Sequence, residues 1–181
     1  MKEEELTLIE RILEGETDLY AVFVKNYQKD IFQLAFQLTK DRELAEDLTQ
    51  EAFVKGFLKL RSFEKKSQFL TWLYRISYNL IITELRKRKI NVSSFDEISE
   101  TYEEIAEIDD FFNKEETENR YQKLDDALQK LTKDEYALIF LHYYQQKTIE
   151  EMAFITAQTT SNVKVKLFRI RKKLYNIMNY E

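Results

Sequence analysis

Apolar residues recur along the first half of the chain at intervals of three and four. Ile31, Leu34, Ala35 and Leu38 form one set, Leu44, Leu48 and Ala52 a second, and Phe69, Leu73, Ile76 and Leu80 a third. Such spacing places each set on one face of a helix. Polar breaks at residues 15–18, 39–41 and 61–67 separate the predicted helices. The pattern returns near the C-terminus, where Leu124, Ala127, Leu128 and Leu131 share a face. A second helix is predicted to start at Thr132 or at Lys133-Asp134 and run through Tyr143. Thr148 followed by Glu151 is the signature of a capping box, in which each residue satisfies a backbone N–H of the other. A last helix carries Val163, Leu167, Ile170, Leu174 and Ile177 on one face, after a polar turn at residues 156–160.

Between the two periodic blocks, residues 91–119 show no sustained period. They hold eleven acidic residues and one lysine, a charge of −10, with room for a short helical stretch near Ile105 to Phe112. Like charges repel, and so little apolar surface cannot offset the entropy of ordering. The prediction is therefore three units: a helical domain at 1–90, an acidic flexible linker at 91–119 and a second helical domain at 120–181. Composition agrees with an all-α fold. There is no proline and there are two glycines, Gly15 and Gly56, in 181 residues, whereas sheets need tight turns that draw on both residue types.

The net charge of −5 is wrong for a nucleic-acid binder until its distribution is considered. With −10 concentrated in residues 91–119, the remainder of the chain carries +5. Where charge sits decides what a surface attracts. The absence of cysteine removes disulfides, thiolate metal sites and cysteine nucleophiles from consideration. The acidic start, with no apolar run behind it, predicts neither a signal peptide nor direct membrane insertion, and a cytoplasmic location is expected. One histidine, His142, lies in an apolar, aromatic stretch and is expected to be a hydrogen-bonded packing residue. No carboxylate spacing or glycine-rich loop marks a catalytic pair, a metal site or a phosphate site. No catalytic residue, metal or cofactor is expected.

Three constellations remain. The last helix offers Ser161, Asn162, Lys164, Lys166, Arg169, Arg171, Lys172 and Lys173 away from its apolar face, with no acidic residue from Ser161 to Lys173. A short helix, a turn and then a basic helix is the pattern of a helix-turn-helix, whose second helix enters the major groove. The second constellation interleaves aromatic and basic residues: Trp72, Tyr74, Arg75, Tyr78 and Asn79, then Arg86, Lys87, Arg88 and Lys89, behind the basic loop Arg61-Ser62-Phe63-Glu64-Lys65-Lys66-Ser67. Bases of an unpaired strand stack on rings while cations track the backbone; equally, the tryptophan and tyrosines can be core. The third is the helix with an acidic outer face from Asp41 to Glu51. It suits a basic protein partner or is a solvated face.

In order along the chain these motifs resemble the sigma-70 family, in particular its small extracytoplasmic-function group. Ala45-Glu46-Asp47-Leu48-Thr49-Gln50-Glu51-Ala52-Phe53 is similar to the helix that docks on the clamp of the polymerase's largest subunit. Residues 69–79 are similar to the helix that melts and reads the minus-ten element, and residues 148–153 with 162–171 to the helix-turn-helix that reads the minus-thirty-five element. The resemblance implies clamp contacts by Asp47, Gln50 and Glu51. It implies minus-ten contacts by Arg61, Lys65, Lys66, Ser67, Trp72, Arg75, Asn79, Arg86 and Arg88, with the 61–67 loop capturing a flipped base. It implies minus-thirty-five contacts by Ser161, Asn162, Lys164, Lys166, Arg169, Arg171 and Lys172. The acidic stretch would thread the polymerase's RNA exit path as a polyanion mimic. Core RNA polymerase and promoter DNA are the implied partners, and an anti-sigma factor is a candidate third.

Some positions depart from the family pattern. Leu73 stands where housekeeping members carry a second aromatic, so melting should be weaker and confined to promoters close to the preferred sequence. The turn before Asn162 lacks the common glycine. Met152 replaces the commoner isoleucine, and Val165 and Phe168 replace polar residues. Two other functions fit parts of the pattern: a helix-turn-helix regulator that acts without polymerase, and a degenerate protein-binding module that titrates a partner.

Overall fold

The computed structural model describes residues 3–88 and 118–180; most of the acidic stretch, with the short helix expected near Ile105 to Phe112, and Lys89 lie outside the described residues. Every regular element among them is helical. The N-terminal half contains α1 (Glu3–Leu13), α2 (Tyr20–Thr39), α3 (Arg42–Lys59) and α4 (Phe69–Lys87), with single 3₁₀ turns at Thr17–Leu19 and Leu60–Ser62. The C-terminal half contains α5 (Glu118–Gln129), α6 (Lys133–Ile139), a π-helical turn (Phe140–Tyr144), α7 (Ile149–Thr156) and α8 (Thr160–Tyr180).

Local chemistry sets the boundaries. Lys40 takes a left-handed conformation (φ 56°) and ends α2, and the Asp41 carboxylate then accepts the Leu44 N–H and starts α3. Thr132 with Glu135 and Thr148 with Glu151 form complete capping boxes for α6 and α7. Ala157 occupies the left-handed C-cap of α7 (φ 55°). A glycine would relax that position at no steric cost, which is the physical content of the glycine missing from the turn.

The N-terminal core centres on rings. Phe69 stacks on Phe23 with centroids 4.1 Å apart, and Phe63 and Trp72 close around it at 6.0 and 5.7 Å. Buried aromatic pairs of this kind contribute about 0.5–1.5 kcal/mol each beyond the area they bury. The C-terminal core is aliphatic: Leu138, Leu141, Met152, Ile155, Val163, Leu167 and Ile170 are buried where α6 and α7 pack on α8.

The two halves also pack on each other. α7 lies against α4, and α6 against α2. Their contact is built from side-chain pairs that join distant parts of the sequence. The Tyr74 hydroxyl donates to Gln145 Oε1 (2.7 Å), Tyr78 to Asp134 Oδ1 (2.9 Å), Tyr136 to Gln37 Oε1 (2.9 Å) and Thr71 to Glu151 Oε1 (2.6 Å).

Candidate nucleic-acid interface

α3 turns its apolar residues inward: Leu44, Ala45, Leu48, Ala52 and Phe53 are buried. Asp47, Gln50 and Glu51 are all exposed on the opposite side, where the sequence places them. At a period of 3.6 residues, Val54 and Leu58 continue the same stripe. Both are exposed, 58% and 73%. The outer face of α3 is thus acidic at its start and apolar at its end. Periodicity contained the signal for this apolar extension, since Val54 and Leu58 fall off the buried face.

α4 presents three faces. Phe69, Leu73, Ser77, Ile81 and Leu85 enter the core. Trp72, Arg75, Ile76, Asn79, Thr83 and Lys87 line a groove against Leu48, Glu51, Lys55 and Lys59 of α3, with a cavity of about 400 Å³. Asn79, Arg86 and Arg88 are exposed along or beyond this groove, Arg88 being held at 2.9 Å by Glu84. Trp72 is 9% exposed; its ring belongs to the core and only its edge reaches the groove. The third face carries Thr71, Tyr74 and Tyr78, all buried under the C-terminal half. The two tyrosines are therefore not offered to solvent. Burial first of all, and then the nearby Asp30 and Asp134 carboxylates respectively, push both phenols far above their ordinary pKa.

The loop at 61–67 forms one side of a smaller pocket of about 230 Å³. Ser62, Phe63, Glu64, Lys66 and Ser67 line it together with Trp72, Arg75 and, from α7, Phe154. Arg61 projects to solvent. Lys65, in a left-handed conformation (φ 59°), reaches back to Glu10 at 2.6 Å, and Lys66 pairs with Glu64 at 2.6 Å. Exposed pairs of this type contribute little to stability, so both lysines are exchangeable toward a phosphate. The Arg75 guanidinium lies 4.6 Å from the Phe154 ring centroid.

On α8, Ser161, Asn162 and Lys164 are exposed at the N-terminal end. Val165 is 47% exposed. Lys166, Arg169, Arg171 and Lys172 are half-buried, so the surface is less uniformly cationic than the sequence alone suggests. Burial lowers the Lys166 pKa, against the opposing field of Asp134. The Arg171 Nε donates to the Tyr143 hydroxyl (2.8 Å), and Lys173 pairs with Glu135 (2.8 Å). His142 is half-buried, with Nδ1 3.4 Å from the Lys147 carbonyl. Among the described residues no group of three or more histidine and acidic side chains is placed to hold a metal, and no helix is long and apolar enough to cross a membrane.

A helical module with an acidic outer helix face and a groove lined by Lys55, Lys59, Arg75 and Lys87, packed beside a helix-turn-helix module, has the form of a two-module DNA-binding protein. Residues 23–90 match the model of Sigma-70 region 2, and residues 121–174 that of Sigma-70, region 4. The chain is 30% identical over 174 residues to the ECF RNA polymerase sigma factor SigW of Bacillus subtilis (strain 168), covering 92% of each chain. It is 29% identical over 175 residues to the ECF RNA polymerase sigma-E factor of Escherichia coli (strain K12), covering 93% of this chain and 91% of the relative. The fold is similar to that of CnrH in complex with the cytosolic domain of CnrY (TM-score 0.67, 18% identity, 97% of each chain). It is also similar to the sigma factor RpoE in complex with the anti-sigma factor NepR from Bartonella quintana (TM-score 0.63, 21% identity, 90% of this chain and 98% of that one). The chain belongs to the sigma-70 family, in its extracytoplasmic-function group, and is a non-enzymatic subunit that binds RNA polymerase and DNA and directs promoter-specific initiation.

Proposed function

We propose that the work of this sigma factor is divided among three surfaces, and that the domains run from 1 to 90 and from 120 to 181. The outer face of α3, through Asp47, Gln50 and Glu51, docks on the polymerase clamp, and Val54 and Leu58 extend that contact. The observation that carries this is the continuous exposed stripe of α3 opposite its buried residues Ala45, Thr49 and Ala52. An acidic start steers the encounter with a basic partner, and an apolar end supplies area that leaves water on docking.

The groove between α3 and α4, with the 61–67 loop, takes the unpaired minus-ten strand. Arg61, Lys65, Lys66, Arg75, Arg86 and Arg88 neutralise phosphates, Ser67 and Asn79 offer hydrogen bonds, and the edge of Trp72 borders the melted region. α8 reads the duplex at minus thirty-five with Ser161, Asn162 and Lys164 at its N-terminal end, and Lys166, Arg169, Arg171 and Lys172 along the backbone. We assign the protein to the cytoplasm, where polymerase is. The complex of the structural neighbour RpoE with the anti-sigma factor NepR makes an anti-sigma factor a candidate partner here.

Asp47→Lys combined with Gln50→Ala tests the docking face. Both residues are exposed, so thermal unfolding should be unchanged while retention on immobilised core polymerase falls at least tenfold. Undiminished retention would remove the clamp contact from α3.

A further inference from the structure

Resting on the assignment of the 61–67 loop to the unpaired strand, we propose that α1 sets the conformation of that loop, with Glu10 as the positioning residue acting through Lys65. α1 lies outside residues 23–90, the segment that matches Sigma-70 region 2, and none of the three surfaces above uses it.

α1 is a fixed platform. Its Ile9 and Ile12 are buried, and it packs on α2 and on the Leu60–Ser62 turn. The Tyr27 hydroxyl donates to the Glu5 carboxylate. Past its C-terminal end Gly15 takes a φ of 120°, a conformation that glycine adopts without steric cost. Arg11 donates to both carboxylate oxygens of Glu16, at 2.8 and 2.6 Å, and closes the turn. A side chain on the outer surface of α1 therefore starts from a defined place.

Glu10 is such a side chain. Its Oε1 accepts from Lys65 Nζ at 2.6 Å, across 55 residues of sequence. Among the described residues this is the one hydrogen bond or ion pair that ties the 61–67 loop to a distant part of the chain. Lys65 needs a tie. Its left-handed backbone, φ 59°, crowds a residue that carries a Cβ, and such a conformation persists where its surroundings determine it. Before Lys65 the loop is anchored by Phe63, whose ring lies 5.3 Å from Trp72 and 6.0 Å from Phe69. After it, the chain enters α4 at Phe69.

The pocket shows the consequence. Ser62, Phe63, Glu64, Lys66 and Ser67 line it, and Lys65 does not. With Lys65 turned out to α1, the charged groups left facing the pocket from the loop are Glu64 and Lys66, paired at 2.6 Å. A Lys65 released to negative φ would rotate the peptide planes on either side and change which charged side chains enter. Glu10 holds Lys65 without consuming it, since an ammonium has three donors and one goes to Glu10. The pair is exposed and adds little to overall stability; what it sets is the shape of the loop.

The test uses the holoenzyme, this chain with core RNA polymerase, on a fork-junction fragment of a promoter from which it initiates. Each base of the unpaired minus-ten strand is replaced in turn by an abasic residue, and the loss of affinity relative to the intact fragment is measured. Wild type should lose at least tenfold at one position or more. Glu10→Gln should shrink that loss at least threefold, while its affinity for the abasic fragment is unchanged or tighter, because a carboxylate near the phosphates has gone. The ratio is taken within one preparation, so a lower folded fraction cancels. Asparagine tolerates the left-handed region but is too short to reach Glu10, so in a Lys65→Asn background Glu10→Gln should have no further effect. A loss retained in full by Glu10→Gln, or a further threefold fall in the Lys65→Asn background, would overturn the proposal. Wild-type holoenzyme indifferent to every abasic position would instead overturn the assignment of the loop on which it rests.

Discussion

Single residues decide how closely the helices approach. Gly56 is buried in α3, and a Cβ there would sit 2.7 Å from the Tyr20 hydroxyl and 3.0 Å from Leu73 Cδ1. The same hydroxyl donates to the Phe53 carbonyl (3.0 Å), so it cannot step aside without losing a buried hydrogen bond. Gly56→Ala should therefore destabilise by about 1–3 kcal/mol, as overpacking does, although alanine is the better helix former. Denaturant unfolding measures this, and a more stable variant would show that α2 and α3 are looser than described. Glu151 carries the other residue-scale prediction. Burial pushes its carboxyl up, but the hydrogen bonds from Thr71 and the Thr148 N–H, with the Lys147 charge, outweigh burial and leave it below the usual range. A depressed carboxylate stabilises the fold above its unfolded pKa, about 4.3, and loses that contribution as pH falls through the folded value. The stability gap between wild type and Glu151→Gln should be constant from about pH 6 to pH 8 and shrink below about pH 4.5. A gap that grows on acidification would contradict the pairing.

At the scale of elements, α4 shows where the sequence was legible and where it was not. Its core face follows from the spacing of Phe69 and Leu73, and its basic end is plain in Arg86 and Arg88. The face formed by Thr71, Tyr74 and Tyr78 was not readable, because its partners Glu151, Gln145 and Asp134 lie 56 to 80 residues away. Periodicity reports that a face is apolar or polar; it does not report which distant element will cover it. Trp72 was open between core and nucleic-acid contact, and its ring belongs to the core with one edge on the groove. The helix-turn-helix was legible through the Thr148–Glu151 capping box and the basic residues of α8. The burial of Lys166 within the field of Asp134 was not, since α6 sits far upstream of it in the sequence. This placement separates two lysines. Lys164→Ala removes an exposed charge and should lower the salt dependence of duplex binding by about one unit of slope. Lys166→Ala, half-buried in the field of Asp134, should change that slope less. Equal effects in a salt titration would show that Lys166 meets phosphate as freely as Lys164 and contradict this distinction.

At the scale of the whole molecule, an acidic middle separates two blocks that together carry +5, and motif order alone led to two helical modules. Their mutual packing is what the structure adds. It turns two independent readers into one body in which α7 covers one face of α4. The central claim remains that this chain gives core RNA polymerase its promoter choice. Transcription in vitro with purified core polymerase, this protein and a genomic template measures that directly. The account predicts discrete start sites that appear only when the protein is added, and that disappear with Asp47→Lys, Gln50→Ala. Initiation at no site, despite a stable complex with core polymerase, would contradict it.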